Sequence, residues 1–182
     1  MKDVAIFHRN LRIEDNAALY NASLNQEYFS LFIFDKKYWS QADRSVNQLK
    51  FALDSLTELE AKLKKFNVNL YVFEGDLEEL ANYLNKSYPN LNLHMNHTTE
   101  TEYFSKNLKK LSKVNSLNLI NYKDFGIQIS EQNRDNWARD WQVHMKKKTF
   151  DVPLVNKNLD LLGLPTFSKF KADLNQSSPH TQ

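Results

Sequence analysis

The chain has 182 residues, of which 41% are hydrophobic and 25% are charged, which is the composition of one folded domain of ordinary size. It contains no cysteine, which excludes disulfides and cysteine-ligated metal sites within this sequence and predicts a cytoplasmic location. The formal charge of +2 is too small to indicate a nucleic-acid surface, and no apolar run approaches the roughly 20 residues that span a bilayer.

Glycine is scarce, with three residues at positions 75, 126 and 163. A G-x-G-x-x-G turn and a Walker A loop both require glycines much closer together than these. The sequence therefore predicts that any ligand is held by some means other than a glycine-rich phosphate loop.

The first third of the chain predicts two strands, each followed by a polar loop and a helix. Residues 4–7 form a short apolar run, and residues 29–34 form a second run rich in aromatic and β-branched side chains. Polar loops follow at 8–12 and 35–39. Asp15 and Asn16 are suitable N-caps for the first helix, and apolar residues spaced by three and four predict a long helix over 45–66.

Three more strands are predicted at 70–73, 91–95 and 117–120. One helix should begin after Asp76, and Thr98 or Thr99 should cap another. Strands that alternate with helices indicate an α/β fold: an open, mostly parallel, Rossmann-like sheet with helices on both faces. We predict five strands in the common order 3-2-1-4-5.

The alternation stops near residue 125, which predicts a different organisation for the rest of the chain. We predict an α/β domain over residues 1–128. Residues 129–182 should form a C-terminal helix and an irregular tail that pack on this domain or dock a partner. The helix, over 131–147, carries Trp137, Trp141 and Met145 at four-residue spacing. From Thr149 onward the sequence shows no regular hydrophobic pattern.

The strand order also predicts where a ligand would bind. Open α/β sheets bind ligands outside the carboxyl ends of their strands, where the strand order reverses, which here falls between strands 1 and 4. Tyr38 and Trp39 offer flat aromatic walls there. The polar groups that face this crevice are the predicted cofactor-binding residues: His8, Arg9, Asp35, Lys36, Gln48, Asn96 and Glu100. Such a site suits a planar heteroaromatic ligand with polar edges, such as a deazaflavin, a flavin or a folate.

Purely structural interpretations of these residues stay open. Arg12 and Asp15 can form a loop-fixing ion pair, and Asp35 can be a turn residue or a helix cap. His8, Asn96 and Glu100 can likewise be ordinary strand-end or helix-start residues, and Trp137 and Trp141 can be a packing stripe. No catalytic constellation is present, and His94 and His97 have poor spacing for a metal, so we predict neither catalytic nor metal-ligating residues.

Several segments resemble signature motifs of the DNA photolyase/cryptochrome family. The run Phe7-His8-Arg9-Asn10-Leu11-Arg12-Ile13-Glu14-Asp15-Asn16 is similar to the family's opening Trp-Phe-Arg-Arg-Asp-Leu-Arg and following Asp-Asn. The helix run 51–59, the strand ends Phe34-Asp35 and Gly75-Asp76, and the pair Asn96 and Glu100 resemble further motifs, and together they cover residues 3–124. Gln48 stands where the family usually has an arginine, and Glu102-Tyr103 and Lys106-Asn107 depart from the pattern that follows Glu100.

The resemblance implies the amino-terminal α/β domain of this family, which holds a light-harvesting antenna chromophore where one is present. It implies a stand-alone domain that acts in light-dependent DNA repair or light sensing with a separate FAD-binding photolyase domain as its partner. The deazaflavin and flavin modes use the predicted crevice, whereas the folate mode also needs residues of the FAD-binding domain. Alone, the chain is expected to show no photolyase-type lyase activity, no direct nucleic-acid binding and no membrane association.

Two alternatives remain. The chain could be a small nucleotide-binding α/β protein of the universal-stress type, although Gly126 alone does not make the phosphate loop that such a protein needs. It could also be a structural remnant that binds nothing, which the glutamine at position 48 favours.

Overall fold

Five parallel strands form one open sheet in the order β3-β2-β1-β4-β5. The architecture comes from a computed structural model that describes residues 2–88, 90–97, 117–123, 134–157 and 163–177. The strands are β1 (Asp3–Phe7), β2 (Tyr28–Phe34), β3 (Leu70–Glu74), β4 (Asn92–Asn96) and β5 (Asn118–Tyr122). The predicted α/β class and strand order are confirmed.

Six helices are described: α1 (Ala17–Ser23), α2 (Lys36–Trp39), α3 (Val46–Lys64), α4 (Leu77–Ser87), α5 (Arg134–Met145) and α6 (Phe167–Ser177). The helix predicted after Thr98 or Thr99 lies outside the described residues, as does the predicted domain boundary between residues 128 and 129, which stays a prediction. Among the described residues, no helix has the length and apolarity that a membrane span requires.

The sheet is covered on both faces, because side chains alternate across each strand. Val4 and Ile6 of β1 point into a core that is closed by α4. Ala5 and Phe7 point into the opposite core, which is closed by α1, α3 and α6. Continuous apolar runs such as β2 are fully buried for this reason, as expected of an interior parallel strand.

The prediction of an irregular C-terminal tail is wrong for residues 167–177, because they form helix α6. Pro165 accepts a hydrogen bond from the Val72 amide at 2.9 Å, and Thr166 forms an antiparallel bridge with Tyr71. These contacts cover the outer edge of β3 and position α6 against the sheet. Phe167 and Phe170 are then buried in the α3 side of the core.

Residues 150–157 run along α1 and the start of β2. The Tyr28 hydroxyl donates to the Leu154 carbonyl at 2.6 Å. The Asn156 amide accepts from the Tyr28 backbone N–H at 3.3 Å and donates to the Tyr28 carbonyl at 3.0 Å. These buried bonds stabilise the segment after α5 against the domain despite its lack of regular structure.

The aromatic stripe of α5 differs from a simple packing stripe. The Trp137 and Trp141 rings stack with their centroids 6.1 Å apart, yet the two side chains are 50% and 39% exposed. Val143 and Met145 on the same helix are also exposed. In the described structure this stripe is therefore more accessible than the four-residue spacing indicated.

Candidate ligand-binding site

A cavity of about 300 Å³ lies at the carboxyl edge of the sheet, beyond the ends of β1 and β2. The loop after β1, helix α2, the first half of α3 and the start of α4 enclose it. Its lining residues are His8, Arg9, Leu11, Phe32, Ile33, Asp35, Tyr38, Trp39, Arg44, Gln48, Phe51, Ala52 and Leu77. The sequence predicted the crevice between strands 1 and 4, whereas this cavity lies on the β1–β2 side of the same sheet edge, with no β4 residue in its described lining. All strands of the parallel sheet end at this edge, so the prediction was right about the edge and wrong about the strand pair.

An aromatic wall forms one side of the cavity. Helix α2 places Tyr38 and Trp39 there, with ring centroids 5.3 Å apart and ring planes almost perpendicular. Trp39 stacks on Phe34 from the end of β2, which fixes its plane. Phe51 of α3 also lines the cavity but is 75% exposed, so it lies toward the solvent. Flat rings of this kind suit a flat ligand.

Asp35 is the reason that α2 exists where the sequence predicted a loop. Its carboxylate accepts hydrogen bonds from the backbone N–H groups of Lys37 and Tyr38, at 2.8 and 3.3 Å. This is the N-cap arrangement that starts a short helix. Asp35 lines the cavity as well, so the structural and the ligand-binding interpretations of this residue coexist.

His8 lies at the end of β1 against the aromatic wall. Its ring meets the Tyr38 ring edge to face, with centroids 5.9 Å apart. Burial, aided by the positive charges of Arg9 and Arg44, lowers the pKa of His8 to about 4. At neutral pH the cavity therefore presents a neutral imidazole.

The acid stability of the protein should depend on His8. The unfolded chain binds a proton at His8 below about pH 6.5, whereas the folded protein resists protonation until about pH 4. The unfolded state holds more protons in that window, so stability falls as the pH falls. Urea titrations at about pH 7 and pH 4.5 measure how much free energy of unfolding each protein loses on acidification. We expect this loss to be about 2 kcal/mol smaller in His8→Gln than in the wild type. Equal losses in the two proteins would contradict this.

Arg44 extends the site beyond the predicted residues. Its guanidinium lies 4.2 Å from the centroid of the Tyr38 ring, in a cation–π contact, and its side chain is 12% exposed. Gln48, one turn into α3, takes part in a capping box, in which its side-chain oxygen accepts from the Ser45 backbone N–H at 2.8 Å.

Four of the seven predicted site residues line the cavity, and Lys36 and Asn96 do not. The cavity brings together His8, Arg9, Asp35 and Gln48. Lys36 forms an ion pair with Glu74 at 2.8 Å and is not among the lining residues. Glu100 lies outside the described residues. Whether these residues bind a cofactor stays a prediction.

Asn96 serves the fold at the switch between β1 and β4. Its side-chain oxygen accepts from the Ala18 backbone N–H at 3.1 Å, and its side-chain nitrogen donates to Asn16 Oδ1 at 2.8 Å. Asn16 is itself the N-cap of α1 and accepts from the Leu19 backbone N–H at 3.0 Å. The two asparagines thus tie the start of α1 to the end of β4.

Replacing Asn16 by alanine should lower the free energy of unfolding by about 2–3 kcal/mol, because a helix cap is lost and Asn96 loses a buried partner. Chemical denaturation of the variant measures this value. Asn21→Ala is a milder control, because the Asn21 side chain donates to the Ala17 carbonyl within the same helix. A loss below about 0.5 kcal/mol for Asn16→Ala would contradict the role assigned to the pair.

The loop between β1 and α1 contains the Arg12–Asp15 ion pair that the structural interpretation of these residues describes. Arg12 donates to the Asp15 backbone carbonyl at 2.8 Å and pairs with the Asp15 carboxylate at 3.6 Å, with both side chains about half exposed. This pair shapes the turn into α1 and contributes little energy by itself. Within the described part of the chain, no cluster of three or more His, Asp or Glu residues could hold a metal ion.

Sequence reasoning missed Arg44, Leu11, Phe51, Ala52 and Leu77 as lining residues. Ala52 and Leu77 belong to regular helical patterns of apolar residues, and Phe51 entered the sequence analysis only as part of the run 51–59. Arg44 precedes the α3 cap in a polar segment, so its approach to Tyr38 depends on the path of residues 40–45. The signal that could have found it is its place beside Ser45, at a helix start that faces the same sheet edge.

These observations define a Rossmann-like α/β domain with an aromatic, cation-containing cavity at the carboxyl edge of its sheet. A family model for DNA photolyase matches residues 4–150. The chain therefore belongs to the DNA photolyase family. The match extends past residue 128, the end of the α/β domain that the sequence predicted.

Individual relatives agree with this assignment. The chain is 35% identical over 85 residues to a (6-4) DNA photolyase of Arabidopsis thaliana, a match that covers 41% of this chain and 15% of the relative. It is 28% identical over 100 residues to cryptochrome-1 of Aedes aegypti, covering 51% of this chain and 18% of the relative. The aligned regions thus span less than a fifth of either relative.

Solved structures share the fold. A crystal structure of an archaeal photolyase from Sulfolobus tokodaii with two FAD molecules, described as implying a novel light-harvesting cofactor, matches all of this chain and 42% of its own with a TM-score of 0.74 at 23% identity. A cryptochrome from Synechocystis matches 90% of this chain and 39% of its own, with a TM-score of 0.61 at 18% identity. At these identities the likeness concerns the fold.

Proposed function

We propose that this domain binds a flat antenna chromophore, a flavin or a deazaflavin, in the cavity between β1, β2, α2 and α3. The domain would then act in light-dependent DNA repair or light sensing together with an FAD-binding photolyase domain. The observation that carries the proposal is the aromatic cavity at the carboxyl edge of the sheet in a member of the DNA photolyase family.

The cavity fits the ring system of such a chromophore. Its volume of about 300 Å³ is at the lower end of the roughly 300–1,000 Å³ that small-molecule sites occupy. Tyr38, Trp39 and Phe51 would contact the ring faces, while His8 and Gln48 would meet its polar edges. A ribityl or longer side chain would extend toward the solvent, where Phe51 is exposed.

When bound, the chromophore supplies the absorption of near-ultraviolet and blue light. The residues of this chain would hold its plane and exclude water from one face. The neutral ring of His8 lines the cavity, where it would present an uncharged imidazole to the polar edge. FAD and the repair chemistry are proposed for the partner domain, which is where the family resemblance puts them.

Gel filtration after incubation with candidate chromophores tests the proposal. The purified protein is mixed in turn with riboflavin, flavin mononucleotide and 8-hydroxy-5-deazariboflavin, and the protein peak is examined for visible absorbance. We expect at least one of the three to co-elute with the protein. Failure of all three would contradict chromophore binding and favour a docking module or a remnant that binds nothing.

Membership of the DNA photolyase family favours this proposal over the alternative of a nucleotide-binding protein of the universal-stress type. ATP serves as the negative probe for that alternative, because a nucleotide that binds the folded state raises the melting temperature. We expect ATP to leave the melting temperature of this protein unchanged.

A further inference from the structure

Arg44 is a largely buried cation, with its side chain 12% exposed, and its charge is poorly balanced by the described residues around it. The carboxylate of Asp43 is 3.8 Å from Arg44 Nε, beyond hydrogen-bond distance, and that carboxylate is 68% exposed. Among the described residues, Nε of Arg44 is buried and has no hydrogen-bond acceptor. The centroid of the Tyr38 ring lies 4.2 Å from the guanidinium carbon in a cation–π contact, which does not supply Nε with a hydrogen-bond acceptor.

The charges on the described cavity lining favour an anion. Arg9 and Arg44 are the two cations of that lining, and Asp35 is its single carboxylate. One oxygen of Asp35 already accepts two backbone hydrogen bonds at the start of α2. Gln48 is neutral, and its side-chain oxygen is engaged by Ser45. Positive charge on the α3 side of the cavity therefore comes from Arg44.

A guanidinium in this position costs free energy unless something satisfies it, because burying a charged donor without an acceptor is unfavourable. A ligand that brings an anionic oxygen into the cavity would provide the missing acceptor. Guanidinium groups bind such oxygens through short, charge-assisted hydrogen bonds, and their planar fork matches carboxylate-like and phosphate groups.

We propose that the cavity selects a chromophore that carries a negative charge, and that Arg44 is the residue that pairs with this charge. The inference rests on the proposed function and narrows it from flat chromophores in general to anionic ones. The negative charge can be an ionised hydroxyl on the ring system or a phosphate on its side chain. Both present the same anionic oxygen chemistry to the guanidinium.

Fluorescence titrations with three probes separate these sources. Riboflavin has neither charge at neutral pH, flavin mononucleotide adds a phosphate, and 8-hydroxy-5-deazariboflavin adds a ring oxyanion. We expect the wild-type protein to bind at least one anionic probe about 10- to 100-fold more tightly than riboflavin, the range expected for one charged hydrogen bond. A preference for the phosphate or for the ring oxyanion identifies the source.

The variant Arg44→Gln should remove that preference, because its anionic probes should lose about 10- to 100-fold in affinity relative to riboflavin. The matched control is Lys50→Gln, which removes an exposed positive charge from α3 outside the cavity lining. It should keep the preference unchanged. Arg44→Lys, which retains the charge without the planar fork, should keep part of it. Melting temperatures of the ligand-free variants check that each one folds.

Three results would overturn the inference. The first is equal binding of all three probes by the wild type, which would leave the proposed chromophore site intact but remove its selectivity. The second is a preference that survives in Arg44→Gln, and the third is a loss in Lys50→Gln as large as the loss in Arg44→Gln. Absence of binding by every probe would instead overturn the proposed function, and the inference with it.

Discussion

Replacing Phe167 by alanine should lower the free energy of unfolding by about 3–5 kcal/mol, the range for a large aromatic side chain removed from a core. Phe167 is 1% exposed and lies in the core beneath α3, although it belongs to a C-terminal segment whose composition is polar. Urea denaturation followed by circular dichroism measures the loss. The prediction follows from α6 being an integral layer of the domain rather than a tail.

The matched control for this substitution is Phe51→Ala, which removes the same side chain from α3, where it is 75% exposed. This variant should change the unfolding free energy by less than about 0.5 kcal/mol. Comparable small losses in both variants would show that α6 is not part of the cooperative unit, and the packing described for residues 163–177 would then be wrong.

The position of α6 also bears on the cavity. Phe170 packs against Phe34 with ring centroids 5.0 Å apart, and Phe34 stacks on Trp39 of the aromatic wall. The α6 N-terminus is fixed by Glu60 of α3, which accepts from the Ser168 backbone N–H at 3.2 Å and also from the Ser168 hydroxyl. The C-terminal helix therefore supports the plane of one cavity wall from behind.

Ala52→Trp should abolish chromophore binding, with a loss of about 100-fold or more in affinity. Ala52 lines the cavity from α3, and an indole at this position would occupy much of the roughly 300 Å³ that a ligand ring needs. The side chain is partly accessible, so the larger residue can be accommodated by filling the cavity rather than by displacing the core.

Ala61→Trp is the control, because Ala61 is an exposed alanine of the same helix, away from the cavity. It should bind the chromophore as the wild type does, and both variants should melt within a few degrees of the wild type. Retained binding in Ala52→Trp would mean that the chromophore occupies a different place on the domain.

The fold was largely predictable because its signals are local. The buried strands read as short apolar runs, and α3 and α4 show the helical spacing of Leu56, Leu59 and Leu63 and of Leu77, Leu80 and Leu84. Helix α6 was missed because Phe167, Phe170 and Leu174 form a narrow stripe in an otherwise largely polar segment. Its stability comes from contacts with α3 and β3 that are distant in sequence.

The candidate site was predictable at the level of loops rather than of side chains. Placing the polar loops after β1 and β2 at one sheet edge brought His8, Arg9 and Asp35 together correctly. The side chains of Lys36 and Asn96 contact partners outside those loops, namely Glu74 and the start of α1, and the loop positions alone did not predict these contacts. Arg44 could not be assigned, because its burial results from stacking on Tyr38 rather than from any periodic pattern.

An absorption spectrum of the protein purified from its own host tests the central claim most directly. The account predicts a protein-bound band in the near-ultraviolet or blue region, whose shape would separate a flavin from a deazaflavin, and predicts its loss in Ala52→Trp but not in Ala61→Trp. A spectrum that contains only the absorption of tryptophan and tyrosine would contradict the account and would turn attention to the exposed stripe of Trp137 and Trp141 as a docking surface.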